Sequence, residues 1–228
     1  MPSLLLATNN KDKIEELQDL LKDLNFQLVT PADIHLDLDV VEDGLTYADN
    51  AAKKALAFAQ ASGLISLADD SGLEVDALDG APGLHSARYG SNDGNKLTYA
   101  ERRKLLIQNL QPFPHPWTAR FKATIAIALP SHVTLSPEGA KGLSTPEETL
   151  RSPQSGSLRV THMQGICEGE IIPEERGTGG FGYDPIFLLP DLGKTMAELP
   201  PETKNRLSHR ARAVMNARDT LNLLLKPV

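Results

Sequence analysis

Residues 66–89 read SLADDSGLEVDALDGAPGLHSARY, and the predicted fold is built outward from this stretch. An apolar run at 64–68 ends on two adjacent carboxylates, Asp69-Asp70, after which a Ser71-Gly72 turn leads to a second strand-like run at 73–78. Carboxylates at the point where a buried strand opens into a loop suit a hard cation, which indicates a divalent-metal site. The competing interpretation is an Asx turn, in which an aspartate side chain bonds its own backbone.

Size and composition limit the classes of protein to be considered. A chain of 228 residues with 40% hydrophobic residues can bury one sizeable core, so we expect a single domain over residues 1–228. A net charge of -7 argues against a nucleic-acid or membrane surface, because such partners attract clusters of Lys and Arg. The one cysteine, Cys167, and an N-terminal apolar run too short for a signal peptide predict a cytoplasmic protein.

The N-terminal residues follow a strand–helix pattern. A buried strand is predicted at residues 4–7, and a helix follows it with apolar residues at helical spacing. The linking residues, Thr8 to Lys13, lie where free N–H groups and a helix dipole favour anions, which makes them a candidate phosphate cradle. Plain N-capping of the helix by Asn or Thr is the alternative.

An acidic loop precedes the second helix. A short strand is predicted at 27–29, and an alanine-rich helix is predicted from about Tyr47 to Ala61. Glu42, just before this helix, is a candidate for a second metal-binding carboxylate. Lys54 on the helix is a candidate for binding the same anion as the phosphate cradle at Thr8 to Lys13. Taken singly, each residue is more simply explained as surface charge.

The middle of the chain contains fewer candidate functional residues. A helix is predicted over 95–110, with the charged run at 101–104 as its solvated face, and strands are predicted at 119–129 and 158–172. Between these strands, residues 131–157 are rich in Pro, Ser, Gly and Glu and show no apolar period. We therefore expect an extended or mobile insertion there.

The last third of the chain contains an aromatic residue among glycines and a basic cluster. In residues 177–185, glycines surround Phe181, whose ring suits stacking on a flat ligand, and Asp184 offers an acceptor; a flexible hinge is the alternative. A C-terminal helix is predicted from Lys204 to about Leu225. Its exposed basic start at 204–210 favours an anionic or carbonyl ligand.

These segments together resemble the inosine triphosphate pyrophosphatase family, the Ham1 type of purine nucleotide hydrolase, over nearly the whole chain. The motifs, in chain order, are Thr8-x-Asn10-x-x-Lys13, Glu42 before Gly44-Leu45-Thr46, Asn50-Ala51-x-x-Lys54-Ala55, Ala68-Asp69-Asp70-Ser71-Gly72-Leu73, Gly80-Ala81-Pro82-Gly83, Ser86-Ala87-Arg88-Tyr89, Gly179-Gly180-Phe181-Gly182-Tyr183-Asp184-Pro185 and Lys204-x-x-x-Ser208-His209-Arg210. Two departures are Asp79, where the family usually has glycine, and the longer segment at 131–157.

The resemblance implies a fold and an activity. It implies an elongated, two-lobed α/β fold around a long mixed sheet with a central nucleotide-binding cleft, and a homodimer. It also implies hydrolysis of ITP, dITP and XTP to the monophosphate and pyrophosphate, which would cleanse the nucleotide pool. A base site made of donors would favour the 6-oxo group of hypoxanthine over the 6-amino group of adenine.

Particular roles follow from the same resemblance. Glu42 and Asp70 would hold Mg²⁺, Asp70 would also accept the proton of the attacking water, and Asp69 would support them. Substrate contacts are implied at Thr8, Asn9, Asn10, Lys11, Asp12, Lys13, Lys54, Ser71, Phe181, Gly182, Tyr183, Asp184, Lys204, His209 and Arg210.

Two other functions are considered. A pyrimidine-directed pyrophosphatase of the Maf type is disfavoured by the Ser-His-Arg and Gly-Phe-Gly-Tyr-Asp motifs. A nucleotide-binding regulator without catalysis is disfavoured by the intact acids and lysines, because a pure binder has no need of a water-activating carboxylate beside a metal.

Overall fold

The computed structural model describes residues 1–92, 95–130 and 160–224, so the insertion predicted at 131–157 lies outside the described residues. The strands are β1 (Ser3–Leu6), β2 (Gln27–Val29), β3 (Ile65–Val75), β4 (Trp117–Ala128), β5 (Val160–Ile171), β6 (Phe187–Leu189) and β7 (Lys194–Thr195). The helices are α1 (Lys11–Leu21), α2 (Tyr47–Ser62), α3 (Tyr99–Leu110), α4 (Pro201–Leu207) and α5 (His209–Leu224).

The strands form a mixed sheet, which confirms the predicted α/β class. Across the described residues the sheet has seven strands in the order β2-β1-β3-β4-β5-β6-β7. β1 pairs in parallel with both β2 and β3, whereas β6 pairs antiparallel with β5 and β7. The chain therefore passes to one side of β1 through α1 and to the other side through α2. In open α/β sheets such a reversal of strand order marks the position where ligands bind.

The chain divides into two compact units, each with its own core. The first unit comprises Met1–Asp70, Thr124–Gln164 and Ala213–Val228, and the second comprises Ser71–Ala123 and Gly165–Arg212. Leu5, Phe58 and Ala126 belong to the core of the first unit. Trp117, Phe121 and Phe187 belong to the core of the second. The prediction of one domain over 1–228 stays a prediction.

The central stretch differs from its prediction. Instead of a strand, a Ser71-Gly72 turn and a second strand, β3 runs without interruption through Asp69-Asp70-Ser71-Gly72 to Val75. The expected loop and the Asx turn are both wrong. Carboxylates are ordinarily disfavoured inside strands, but those of β3 pair with lysines, and these tertiary contacts override the local preference.

The C-terminal region also differs, because two helices replace the single one predicted. α4 ends at Leu207, and Ser208 adopts an extended conformation with φ -63° and ψ 154°. The Ser208 hydroxyl then accepts a hydrogen bond from the backbone N–H of Ala211 at 3.1 Å, which caps the start of α5. Lys204 and His209 therefore lie on different helices.

The third helix begins later than predicted. A capping box in which Thr98 and Glu101 exchange hydrogen bonds starts α3 at Tyr99. The helix therefore begins four residues after its predicted start at Asn95. The prediction that residues 101–104 form a solvated face is wrong for two of them, since Arg102 is buried and the Arg103 side chain is only 12% exposed. Among the described helices, none is long and apolar enough to cross a membrane.

Candidate active site

The first unit contains a group of acids and lysines, here called the acid–lysine cluster, made of Lys13, Glu42, Lys54, Asp69 and Asp70. The Lys54 ammonium lies 2.9 Å from Glu42 Oε1 and 3.2 Å from Asp70 Oδ1. The Lys13 ammonium lies 2.8 Å from Asp69 Oδ2. Both ammonium groups also donate to the backbone carbonyl of Asp69, at 2.9 Å from Lys54 and 3.3 Å from Lys13. The sequence prediction therefore identified side chains that the structure brings together.

The alternation of side chains along β3 explains how two neighbouring aspartates acquire different partners. Consecutive residues of a strand point to opposite faces of the sheet. Asp69 thus pairs with Lys13, at the start of α1, while Asp70 pairs with Lys54, in the middle of α2. Asp69 and Asp70 are almost fully buried, at 1% and 7% exposure, so these pairs are poorly screened by water.

Burial and neighbouring charges shift the protonation equilibria of the cluster. Burial raises the pKa of Asp70 above its ordinary value, although the ammonium groups of Lys54 and Lys13 act in the opposite direction. For Lys54, burial acts to lower the pKa, but the carboxylates of Asp70 and Glu42 outweigh it and the pKa is raised. Lys54 therefore stays charged, and Asp70 is a stronger proton acceptor than an ordinary exposed aspartate.

Asn50 contacts this cluster, although the sequence prediction did not assign it to the site. Its side chain is 2% exposed; the carbonyl accepts from the backbone N–H of Gly44 at 2.7 Å, and the amide nitrogen lies 3.4 Å from Asp70 Oδ2. One amide thus joins the segment after Glu42 to Asp70. The Asn50-Ala51 motif gave the signal, but its spacing did not reveal this contact.

The donor set fits a hard divalent cation. Glu42 and Asp70 both offer carboxylate oxygens within reach of the same Lys54 ammonium, and Mg²⁺ in phosphoryl-transfer sites is bound by one or two carboxylates with substrate phosphates and water. Three carboxylates and two ammonium groups leave the cluster one net negative charge. The described residues contain no group of three or more His, Cys, Asp and Glu side chains placed to hold a metal by themselves.

The segment before α1 shows the capping geometry that was the alternative to a phosphate cradle. Asn10 is the N-cap of α1, and its side-chain carbonyl accepts from the backbone N–H of Lys13 at 3.2 Å. The Asn10 N–H donates to Thr8 Oγ1 at 3.2 Å. Asn9 and Lys11 are exposed and Asp12 is half-buried. Substrate contacts at this segment stay a prediction.

The second unit contains the aromatic loop, here defined as residues 177–184. The Phe181 ring is half-buried, with the Lys204 ammonium 5.4 Å and the Arg210 guanidinium 5.6 Å from its centroid. Arg210 also donates to Ser71 Oγ at 3.0 Å. Cations that close to an aromatic ring interact favourably with its π-electrons.

Asp184 holds the aromatic loop together. Its Oδ2 accepts from the backbone N–H of Phe181 at 2.9 Å and from the Lys204 ammonium at 2.7 Å. A Cβ at Gly180 would lie 2.0 Å from this oxygen, so only glycine allows the backbone to pass so close. Asp184 thus fixes the backbone at Phe181. A contact of Asp184 with substrate stays a prediction.

The remaining predicted base contacts are buried. His209 is 7% exposed and its ring stacks on Phe121 with centroids 4.7 Å apart, while Arg210 is 2% exposed. The expectation of an exposed basic helix start is therefore wrong for His209 and Arg210, although Arg206 is exposed. Tyr183 packs in the second core, its hydroxyl donates to the Ser86 carbonyl at 3.0 Å, and burial raises its pKa. This placement gives the Tyr183 side chain a packing role.

The Ham1 family model matches residues 4–220, and the chain belongs to this family. It is 42% identical to the dITP/XTP pyrophosphatase of Desulforamulus reducens, over 97% of this chain and 96% of that protein. It is 41% identical to the dITP/XTP pyrophosphatase of Geobacter sulfurreducens, over 97% of each chain.

Solved structures agree with this assignment. The HAM1 protein from Coxiella burnetii superposes with a TM-score of 0.75 at 34% identity, covering 97% of this chain and 99% of that chain. The Staphylococcus aureus Ham1 protein gives a TM-score of 0.73 at 31% identity, covering 96% and 98%. The family resemblance inferred from the motifs is therefore confirmed.

Proposed function

We propose that this chain hydrolyses the non-canonical purine nucleotides dITP, ITP and XTP to the monophosphate and pyrophosphate, and so clears them from the cytoplasmic pool. The observation that carries the proposal is the meeting of Lys13 and Lys54 at the Asp69 carbonyl, beside the carboxylates of Asp70 and Glu42. Two relatives that are 42% and 41% identical to this chain are dITP/XTP pyrophosphatases, which supports the same substrate class.

The acid–lysine cluster has the groups that attack on the α-phosphorus requires. Asp70 accepts the proton of the attacking water, because burial has made it a better base. Lys13 and Lys54 balance the charge that develops on the phosphate oxygens as the bond to the pyrophosphate breaks. When bound to Glu42 and Asp70, Mg²⁺ would supply further charge neutralisation and would lower the pKa of the attacking water. Asn50 orients Asp70.

The aromatic loop has the groups that recognition of an oxopurine requires. Phe181 offers a ring on which a base can stack, and Lys204, His209 and Arg210 are donors that suit a 6-oxo acceptor. Adenine presents an amino group at the same position and would leave these donors unsatisfied. A site of this kind discriminates between bases by leaving buried polar groups unpaired.

The proposal is tested with purified protein and Mg²⁺ incubated separately with dITP, XTP, GTP, ATP and dTTP, with quantification of monophosphate, pyrophosphate and orthophosphate. We expect pyrophosphate together with dIMP or XMP, and little product from ATP. Orthophosphate would place the attack on the γ-phosphorus. A preference for dTTP would support the Maf alternative, and tight dITP binding without turnover would support a regulator.

We further propose that the chain acts as a homodimer, as the family resemblance implies. Sedimentation equilibrium at assay concentrations tests this directly, and a mass of 24.7 kDa, that of one chain, would refute it.

A further inference from the structure

Helix α3 contacts the aromatic loop through the side chain of Arg103. Its Nε and Nη2 donate to the two carboxylate oxygens of Glu175, each at 2.8 Å, and its Nη1 donates to the Gly182 carbonyl at 2.8 Å. A guanidinium that binds a carboxylate in this bidentate manner is fixed in direction as well as in distance. Arg103 therefore joins the residue after Phe181 to the segment that enters the loop.

The loop depends on such external contacts, because it has no strand or helix of its own between β5 and the short 3-10 turn at Asp184–Ile186. Gly182 adopts a φ of 63°, a left-handed conformation that glycine enters readily but also leaves readily. A hydrogen bond on the Gly182 carbonyl restricts the peptide that joins Gly182 to Tyr183, one residue beyond Phe181. This restriction reduces the conformations available to the ring.

Phe181 is thus held from both sides. Its own N–H donates to Asp184, and the carbonyl of the next residue accepts from Arg103. The same helix also reaches the ring, since Tyr99 lies with its ring centroid 6.1 Å from that of Phe181. Arg102 in turn covers the Tyr99 ring at 4.9 Å. Helix α3 therefore contacts the Phe181 ring through Tyr99 and the loop backbone through Arg103.

We infer that Arg103 is a positioning residue for base recognition, acting through Gly182 and Glu175 on the orientation of the Phe181 ring. The inference rests on the proposed function, in which Phe181 stacks on the purine. It assigns a role to a residue that no sequence motif singled out. Arg103 acts on binding of the base, so its loss alters the KM for the nucleotide, whereas the acid–lysine cluster governs the chemical step.

The test compares Arg103→Ala with Arg120→Ala in dITP hydrolysis. Arg120 is a suitable control because its ion pairs in the described part of the chain join it to other carboxylates of the second unit, Glu74, Asp76 and Glu168. We expect Arg103→Ala to raise the KM about tenfold, as for loss of part of a base–aromatic stack, with little change in kcat. Arg120→Ala should leave both constants unchanged.

A double-mutant cycle separates positioning from general stabilisation. If Arg103 acts through Phe181, adding Arg103→Ala to Phe181→Ala should raise the KM no further, because the ring it positions is already absent. Additive effects, or a KM for Arg103→Ala equal to that of the wild type, would overturn the inference. If Arg103→Ala does not fold, as judged by thermal melting, Arg103→Lys replaces it, since Lys keeps the charge but cannot form the bidentate contact.

The outcome for the wild type distinguishes the two proposals. A wild-type protein that does not hydrolyse dITP refutes the proposed function and, with it, this inference. A wild-type protein that hydrolyses dITP, combined with an Arg103→Ala variant that behaves like Arg120→Ala, refutes only the inference.

Discussion

The acid–lysine cluster of the first unit and the aromatic loop of the second are built in opposite ways. The cluster is carried largely by regular elements: β3 provides the aspartates, and α1 and α2 provide the lysines. The aromatic loop has no regular element of its own, and its shape depends on a hydrogen bond that Asp184 accepts and one that Arg103 donates. The groups proposed to act on phosphate thus have rigid support, whereas the ring proposed to stack on the base is held by side-chain contacts.

This difference leads to distinct expectations for substitutions. Changes in the cluster should alter the chemical step, because the groups proposed to move a proton or balance charge are fixed there. Changes in the loop should alter nucleotide binding and base choice. The predictions below use this separation, beginning with the largest expected effect.

The largest effect is expected for Asp70→Asn. The amide keeps the shape of the side chain but cannot accept the proton of water, so kcat for dITP should fall by about 10² to 10⁴. Asp43→Asn is the control, because Asp43 is an exposed acid that pairs with Lys53 on the surface. Thermal melting should show that both variants are folded. Undiminished turnover by folded Asp70→Asn would remove Asp70 as the base.

A smaller effect is expected for Lys54→Ala, since this change leaves proton transfer in place but removes one positive group. The kcat should fall by about 10² to 10³, the usual cost of losing one preorganised electrostatic contact. Helix α2 provides its own control in the preceding residue, Lys53. Within the described part of the chain, the Lys53 ammonium pairs with the exposed Asp43. Equal rates for Lys53→Ala and Lys54→Ala would contradict the role given to the cluster.

Phe181→Ala tests the role of the aromatic loop. Loss of the stacking ring should weaken nucleotide binding by about 1 to 3 kcal/mol, while kcat at saturating dITP changes little. Calorimetric titration with dIMP, the expected product, would measure the affinity without turnover. An affinity equal to that of the wild type would mean that the base binds elsewhere.

The last effect concerns stability rather than activity. Burial raises the pKa of the Cys167 thiol to about 11, above the ordinary value near 9. The neutral thiol therefore contributes stability that is fully present below pH 9 and is lost as the pH rises towards 11, by up to about 2 kcal/mol. Urea unfolding of the wild type and of Cys167→Ala at pH 8 and pH 10.5 measures the difference. A parallel loss in both proteins would contradict the prediction.

The sequence was informative where chemistry follows a regular pattern. The carboxylate pair at 69–70, the helix carrying Lys54 and the family motifs predicted the members of the cluster and the α/β class. The turn expected at Ser71-Gly72 was wrong because local composition does not show that Lys13 and Lys54 neutralise the aspartates and let the strand continue. Single-sequence patterns describe neighbours along the chain, and these ion pairs join residues far apart in it.

The aromatic loop shows the same limit more strongly. Phe181 and its glycines were recognisable from composition, but Arg103 lies 79 positions before the carbonyl that it binds and was interpreted as part of a solvated face. The break at Ser208 was also missed, because helical spacing continues across it while the backbone does not. Long-range hydrogen bonds and single capping residues leave little trace in periodicity.

The uninterrupted course of β3 has a consequence for which changes in chain length this protein tolerates. Because Asp69 and Asp70 lie on opposite faces of one strand, removing a single residue between Ile65 and Asp69 while keeping the pairing with β1 would turn each carboxylate towards the other's lysine. Insertions in surface loops leave this arrangement intact, whereas one residue added in β3 before Asp69 at unchanged register would exchange the faces of the two carboxylates. The number of residues in β3 before Asp69, odd or even, therefore decides which aspartate faces α1 and which faces α2.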